Sequence, residues 1–166
     1  MRMQKISPCL WFADEAQEAV DFYIGIFKDS RVIGMTRYSE VGFEMHRRPA
    51  GSVMSIVFEL EGQTFTALNG GPLFKFTEAV SLQIYCKTQR EIDHYWNALT
   101  EGGDPSAQQC GWLKDKYGLS WQVVPELLAD MINQNDPLVT DSDMAAMMEM
   151  NKLDLERLQQ AIDGGD

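Results

Sequence analysis

Residues 109–125, QCGWLKDKYGLSWQVVP, constrain the fold of this 166-residue chain more than any other stretch. Two apolar runs, which carry Trp112 and Trp121, flank the polar tetrapeptide DKYG at residues 115–118. Glycine tolerates the positive φ that short hairpin loops need, so this pattern predicts a β-hairpin. Pro125 is expected to close the second strand, because proline cannot donate a hydrogen bond to a sheet.

The composition narrows the function classes. A formal net charge of −11 argues against nucleic-acid binding, because phosphate contacts need clustered Lys and Arg. The chain reaches Asp14 and Glu15 before a long apolar run develops, which predicts neither a secretory signal nor a membrane span. Cys9, Cys86 and Cys110 form no CxxC pair and leave one over if two bridge, which indicates reduced thiols and a cytoplasmic protein. Each lies in an apolar run, which favours buried structural thiols over a catalytic cysteine.

The order of predicted elements repeats along the chain. The first half contains a strand at 6–13, a helix capped by Asp14 and strands at 30–40, 52–60 and 63–68. The second half contains a strand at 79–86, a helix at 88–99 and hairpin strands at 106–114 and 119–124, which leaves the last strand of the first half without an unambiguous counterpart. Phe22-Tyr23 of the first helix corresponds to Tyr95-Trp96 of the second, 73 residues later. The sequence therefore predicts an α+β fold with two tandem βαβββ modules, residues 1–75 and 76–132.

Residues 133–166 are predicted to form a short helical C-terminal tail. The polar break NQNDP at 133–137 precedes two apolar stripes, formed by Met144, Met147 and Met148 and by Leu155, Leu158, Ala161 and Ile162. Helices this short are marginal alone and need a surface to pack on. The sequence leaves open whether that surface belongs to the same chain or to a second subunit.

Three motifs carry a resemblance to a known group of proteins. They are EAxEAxxFY at residues 15–23, ALNGG at 67–71 and, above all, CGWLKDKYGxSWQ at 110–122. Together with the tandem modules, they resemble the vicinal oxygen chelate superfamily, the glyoxalase, bleomycin-resistance and dioxygenase group. Within it the chain looks like the PhnB-like branch, often labelled demethylubiquinone methyltransferase-like, over about residues 4–132.

The resemblance implies cup-shaped sheets around a cavity, a homodimer and, in the enzymes, a divalent metal held by the first and last strands of each module. Carried over by spacing, the four metal positions fall on Pro8, Thr66, Ser81 and Gln122. None of these is a His, Glu or Asp, the donors that such a metal needs. We therefore expect no metal and no other cofactor.

The branch label also implies methyl transfer. A methyl-donor site of the Rossmann type uses a Gly-rich turn after a parallel strand. The Gly pairs at 70–71 and 102–103 are predicted to end a strand and a helix instead. The residues therefore do not favour that activity.

Strand alternation predicts which side chains line the cavity. In one register of the hairpin, Leu113 shares the cavity face with Gln122, and Trp112 faces the helices. A bulge at Gly118 would exchange the two faces and place Trp112 in the cavity. Over both registers, the predicted lining is Thr66, Ser81, Gln83, Tyr85, Cys110, Trp112, Ser120 and Gln122.

This lining is neutral and mixed, which is typical of a small-molecule pocket. It contains no His and no paired carboxylates, so a general base and other catalytic residues are not assigned. One hypothesis is a protein that binds a small metabolite in a metal-free cavity. The other is a metal-independent or atypical enzyme of the superfamily, a lyase, isomerase or transferase, in which Tyr85, Gln122 or Cys110 acts on a small molecule.

Overall fold

The structure, a computed structural model, describes residues 4–133 and 141–164. The chain divides into two compact units, an N-terminal unit, Met1–Lys75, and a C-terminal unit, Phe76–Asp166. Each combines a β-sheet with helices, so the predicted α+β fold is confirmed. No helix among these residues combines the length and the hydropathy needed to span a membrane.

The N-terminal unit is a four-stranded sheet with one helix packed on it. Its elements are β1 (Cys9–Phe12), α1 (Ala16–Ile26), β2 (Arg31–Arg37), α2 (Phe43–His46), β3 (Val53–Leu60) and β4 (Gln63–Asn69). The strand order is β1-β4-β3-β2, with β1 parallel to β4 and the other pairs antiparallel. Phe58 and Ala67 are buried with Tyr23 of α1, and intervening residues of these strands are less buried, as alternation requires.

The start of α1 differs from the prediction. Its cap position is Glu15, which makes no side-chain capping bond, and the predicted cap Asp14 pairs with Arg48 instead, at 2.6 Å. The buried Asn69 accepts a hydrogen bond from the Ala16 N–H at 2.9 Å. This cap comes from the end of β4, which runs parallel to β1, so local sequence could not reveal it.

The C-terminal unit has a smaller sheet and more helix. Its elements are β5 (Ser81–Cys86), α3 (Gln89–Thr100), a 3₁₀ helix (Pro105–Ala107), β6 (Trp112–Lys114), β7 (Ser120–Pro125), α4 (Glu126–Asn133), α5 (Asp141–Met148) and α6 (Leu155–Asp163). The strand order is β5-β7-β6, with β5 parallel to β7. The helix α4 was not predicted.

Among the described residues, this second sheet has three strands, one fewer than a full βαβββ module. The missing strand corresponds to β2, which follows the helix in the first unit, and not to the last strand as the sequence predicted, because β7 pairs with β5 as β4 pairs with β1. Here α3 is followed by the 3₁₀ helix, where the Asp104 carboxylate accepts a hydrogen bond from the Ser106 N–H at 2.9 Å. Local bonds of this kind compete with a strand ladder, and Pro105 has no N–H to donate. The predicted strand at 106–114 is therefore reduced to β6.

The repeat of 73 residues is visible in the burial pattern. Ala19 and Tyr23 of α1 are buried, and so are the corresponding Ile92 and Trp96 of α3. In both units the first strand runs parallel to the last. The two helices therefore present equivalent faces to equivalent sheets.

The predicted hairpin is formed by β6 and β7. The Asp115 N–H donates to the Leu119 carbonyl and the Gly118 N–H donates to the Asp115 carbonyl, both at 2.9 Å. These two bonds close a three-residue loop, whose last residue, Gly118, has φ +87°. This loop pairs Trp112 with Gln122, and Leu113 with Trp121. The register with a bulge is therefore the observed one, and Leu113 is buried on the helix side. A two-residue loop would have given the other register.

Asp115 holds the hairpin together. Its side chain is 2% exposed, and one carboxylate oxygen accepts hydrogen bonds from the Tyr117 N–H at 2.9 Å and the Leu119 N–H at 3.1 Å. The other oxygen accepts a bond from Trp121 Nε1–H at 2.9 Å. A buried carboxylate is tolerated because donors surround it, and it links the turn to the buried face of β7.

The C-terminal segment packs on its own unit. Cys110 and Gly111, with φ of +52° and +83°, form a tight turn whose two N–H groups bond to the carbonyls of Met150 and Asn151, both at 2.8 Å. The buried side chains around this contact are Leu128, Met150, Leu153 and Leu158, with Val124, Leu127, Ala146, Met147 and Ile162 partly buried. Of the predicted stripes, Leu158 is buried, whereas Met144 and Met148 are exposed. The part of the predicted tail at residues 134–140 lies outside the described residues.

We expect Gly111→Ala to destabilise the protein more than Gly118→Ala. Both glycines have positive φ, which costs an alanine about 1–2 kcal/mol. An added Cβ at Gly118 would meet nothing within 4 Å, whereas at Gly111 it would lie 2.7 Å from the Val123 carbonyl oxygen and 3.0 Å from Leu153. Overpacking of this kind adds about 1–3 kcal/mol to the loss of unfolding free energy. Urea unfolding of both variants measures the difference, and equal losses would contradict this role of Gly111.

Candidate ligand-binding cleft

One face of the second sheet is open. Register places Ser81 beside Ser120, Gln83 beside Gln122 and Tyr85 beside Val124, and the hairpin adds Trp112. We call the face formed by these seven residues the open face. The opposite face carries the buried side chains of Leu113, Trp121 and Val123 and is covered by α3. Apart from the buried Ser120, the open face is thus the surface of this sheet that a ligand can reach.

Four side chains of the open face form a hydrogen-bonded ladder. The Tyr85 hydroxyl donates to Gln83 Oε1 at 2.8 Å. Gln83 Nε2 donates to Gln122 Oε1 at 3.4 Å, and Gln122 Nε2 donates to Ser81 Oγ at 2.8 Å. The donors all point toward Ser81. Because each member is held by its neighbour, the ladder presents its polar groups in fixed positions.

A cleft of about 740 Å³ lies over this face within the C-terminal unit. The sheet forms one wall, and α4, α5 and the segment before α6 form the rest. Its lining residues are Gln83, Tyr85, Cys110, Trp112, Gln122, Val124, Glu126, Leu128, Ala129, Asp130, Met144, Met147, Met148 and Leu153. The ladder therefore faces a wall rich in methionine.

The cleft contains most of the predicted site residues. Gln83, Tyr85, Cys110, Trp112 and Gln122 line it, and Ser81 bonds to Gln122 from its edge. Ser120 is buried opposite Ser81, and its hydroxyl has no hydrogen-bond partner among the described residues. Thr66 lies on β4, in the N-terminal unit, and is not brought together with the others within one unit.

Sequence reasoning missed the acidic side of the cleft. Glu126 and Asp130 line it from α4, and Leu128 packs beneath. The sequence ELLAD at residues 126–130 has apolar residues between two acids four positions apart, which is a helical pattern. The pattern is too short to identify a helix from the sequence alone. The methionine stripe was found, but its place in the cleft depends on how α5 packs.

The cysteines differ in their environments. Burial, with a smaller contribution from Glu91, raises the pKa of Cys86 to about 12, so this thiol is not a nucleophile at neutral pH. Cys110 lines the cleft, and its Sγ donates a hydrogen bond to the Met147 carbonyl at 3.2 Å. Its positive φ is explained by the turn that binds Met150 and Asn151, so backbone strain here has a structural cause.

The residues at the four carried-over metal positions do not fit a divalent metal. In the N-terminal unit the Thr66 N–H bonds to the Pro8 carbonyl at 2.9 Å, and in the C-terminal unit Gln122 bonds to Ser81. Hydroxyl, amide and pyrrolidine groups replace the imidazoles and carboxylates that such a site needs. Across residues 4–133 and 141–164, no three His, Cys, Asp or Glu side chains are grouped so that they could hold a metal ion.

The fold and these motifs define the class of protein. Two units, each with a parallel pairing of its first and last strands beside one long helix, have the fold of the vicinal oxygen chelate superfamily. The FosX fosfomycin resistance protein from Mesorhizobium loti shares this fold at 12% identity, with a TM-score of 0.53 over 80% of this chain and 99% of that chain. The FosX protein from Listeria monocytogenes shares it at 14% identity, with a TM-score of 0.54 over 80% of this chain and 98% of that chain.

A closer relationship identifies the family. The sequence model of the protein family described as 3-demethylubiquinone-9 3-methyltransferase matches residues 4–124. The PhnB protein from Bacillus cereus, a solved structure, is 36% identical, with a TM-score of 0.62 over 74% of this chain and 99% of that chain. This chain belongs to that PhnB-like family. Among curated proteins, none matches it.

We expect the protein to retain no stoichiometric metal. After dialysis into metal-free buffer, mass spectrometry of the elements should find Zn, Ni, Mn and Fe well below one atom per chain. Addition of EDTA should leave the Tm unchanged, because no bound metal contributes to the free energy of unfolding. One metal atom per chain, or a fall of the Tm on chelation, would show that another set of donors holds a metal.

Proposed function

We propose that this protein binds a small, partly apolar metabolite in the cleft of its C-terminal unit. The observation that carries the proposal is the pairing of the Tyr85-Gln83-Gln122-Ser81 ladder with a wall of methionines across one cleft. A volume of about 740 Å³ lies within the range of small-molecule sites, which are mostly apolar with a few fixed polar groups.

Exposure of apolar side chains in the cleft supports the proposal. Tyr85 is 52% exposed, Met144 48% and Met148 61%. A ligand would remove this surface from water, and each Å² of apolar surface buried contributes about 25 cal/mol. Methionine suits such a wall because its flexible thioether adapts to different shapes.

A second candidate function is a metal-independent reaction at Cys110. The observation that favours it is that this thiol lines the same cleft as Tyr85 and Gln122. Cys110→Asn removes the nucleophile and keeps a residue that tolerates positive φ. If the protein is an enzyme of this kind, the variant binds the metabolite and does not convert it; if it is a binding protein, neither form gives turnover.

The proposal does not include methyl transfer, although the family's description names it. Gly-rich turns between a parallel strand and a helix bind methyl donors in Rossmann-type sites. The connection from β1 to α1 is Ala-Asp-Glu, and the one from β5 to α3 is Lys-Thr. Neither contains a glycine.

We expect Gln122→Ala to weaken ligand binding and to leave the fold intact. The substitution removes the centre of the ladder, so Gln83 and Ser81 lose the side chain that orders them. A metabolite library is first screened by thermal shift, in which a ligand at a hundredfold excess over its Kd adds about 2.7 kcal/mol to the unfolding free energy. The Kd of each hit is then measured by calorimetry for the wild type and for the variant.

Gln160→Ala is the matched control, because Gln160 is exposed on α6 and does not line the cleft. It should bind each hit as the wild type does. Hits that lose affinity equally in both variants, or that bind Gln122→Ala unchanged, would place the ligand elsewhere and overturn the proposed site.

We also propose a homodimer and a cytoplasmic location, as the sequence predicts. The edge strand β2 supports the homodimer, because Val32, Ile33 and Met35 are exposed on a strand whose outer edge pairs with no other strand among the described residues. Light scattering coupled to size-exclusion chromatography should give twice the mass of one chain. Ile33→Lys should yield monomers, and Val80→Lys, at an exposed position before β5, should not. A monomeric wild type would refute this.

A further inference from the structure

We infer that the cleft of the C-terminal unit selects a cationic ligand, an amine or ammonium group attached to an apolar body. The inference rests on the proposed function and names the chemical class of its ligand. Three independent features of the cleft support it: the charges of its lining, the direction of the ladder and the position of its aromatic rings.

The charges of the lining have one sign. Glu126 and Asp130 are one helical turn apart on α4, and both line the cleft. Neither carboxylate forms an ion pair among the described residues, and the lining contains no Lys, Arg or His. Two carboxylates at one wall attract a cation and repel an anion. Glu126 is half-buried and Asp130 is exposed, so salt screens this attraction.

Nearby lysines do not cancel this charge. Lys114, at the edge of the open face, pairs with Glu78, and Lys152 pairs with Asp93 at 3.0 Å. Both ammonium groups already have carboxylate partners outside the lining. The cleft is therefore left with uncompensated negative charge, which a positively charged ligand would neutralise.

The ladder offers hydrogen-bond acceptors, and its Tyr85 pairs in register with Val124, two residues before Glu126. Tyr85 donates its hydroxyl proton to Gln83, so the hydroxyl oxygen keeps its lone pairs for a donor from the cleft. The amide oxygens of Gln83 and Gln122 each accept one bond and have capacity for a second. An ammonium group supplies donors for these oxygens, whereas a carboxylate supplies none.

Aromatic rings and methionines suit the two parts of such a ligand. Trp112 and Tyr85 both line the cleft, and the faces of Trp and Tyr rings attract cations. Met144 and Met148 form the apolar wall, where a hydrocarbon body would be buried. The combination favours an apolar amine over a sugar, a phosphate or a carboxylic acid.

The test compares three probes of nearly the same shape by calorimetry. They are 2-phenylethylamine, a cation at neutral pH, 2-phenylethanol, which is neutral, and 3-phenylpropionate, an anion. We expect the amine to bind about tenfold more tightly than the alcohol at low salt, and the acid to bind more weakly than either. The preference for the amine should decrease as salt is added, because salt screens charges that are not fully buried.

Charge-neutral variants locate the effect. Glu126→Gln and Asp130→Asn should each reduce the preference for the amine over the alcohol about threefold, and the double variant should nearly abolish it. Glu101→Gln removes an equal charge from an exposed position after α3, outside the lining, and should change nothing. Equal loss in this control would indicate a general charge effect and overturn the inference.

The outcomes separate this inference from the proposed function. If the alcohol binds at the cleft as tightly as the amine, the cleft is a binding site without charge selection, and only this inference fails. If 3-phenylpropionate binds best, the cleft prefers anions and the inference of a cationic ligand is wrong. If none of the probes binds and the metabolite screen also gives no hit that depends on Gln122, the proposed function itself fails.

Discussion

The cleft depends on one backbone contact. The turn at Cys110 and Gly111 directs two adjacent N–H groups at the carbonyls of Met150 and Asn151, which fixes the C-terminal segment against the hairpin. Only a residue without a side chain fits at position 111, where a Cβ would meet the Val123 carbonyl. Met147 and Leu153 flank the two residues that accept these bonds, and both line the cleft. The position of the helical wall of the cleft therefore depends on this contact.

The same hairpin sets the chemistry of the opposite wall. Asp115 fixes the loop length, the loop length fixes the register, and the register places Gln122 and Trp112 on the open face together. At the position where the superfamily's enzymes carry a metal donor, Gln122 bonds to Ser81. A neutral hydrogen-bonded ladder thus includes two of the positions carried over from the superfamily's metal sites, and the carboxylates that line the cleft come from α4.

The strands and the long helices were predictable because their signals are local. Period-two alternation marked β5 and β7, and helical spacing marked α1 and α3, whose buried faces correspond after 73 residues. The predicted length of the first hairpin strand was too great, because turns at 104–107 and 110–111 interrupt it. The cap of α1 was missed because Asn69 reaches it from a distant strand.

The sequence by itself determined the superfamily, the hairpin and the residue types at the four carried-over metal positions, since each is a matter of residue type at fixed spacing. Only the tertiary structure decided which hairpin face is open, since one residue of loop length exchanges the faces. It also decided that the methionines and Glu126 line the same cleft as the ladder, because their positions depend on contacts between segments far apart in the chain. The fold was encoded locally, whereas the cleft was assembled by long-range packing.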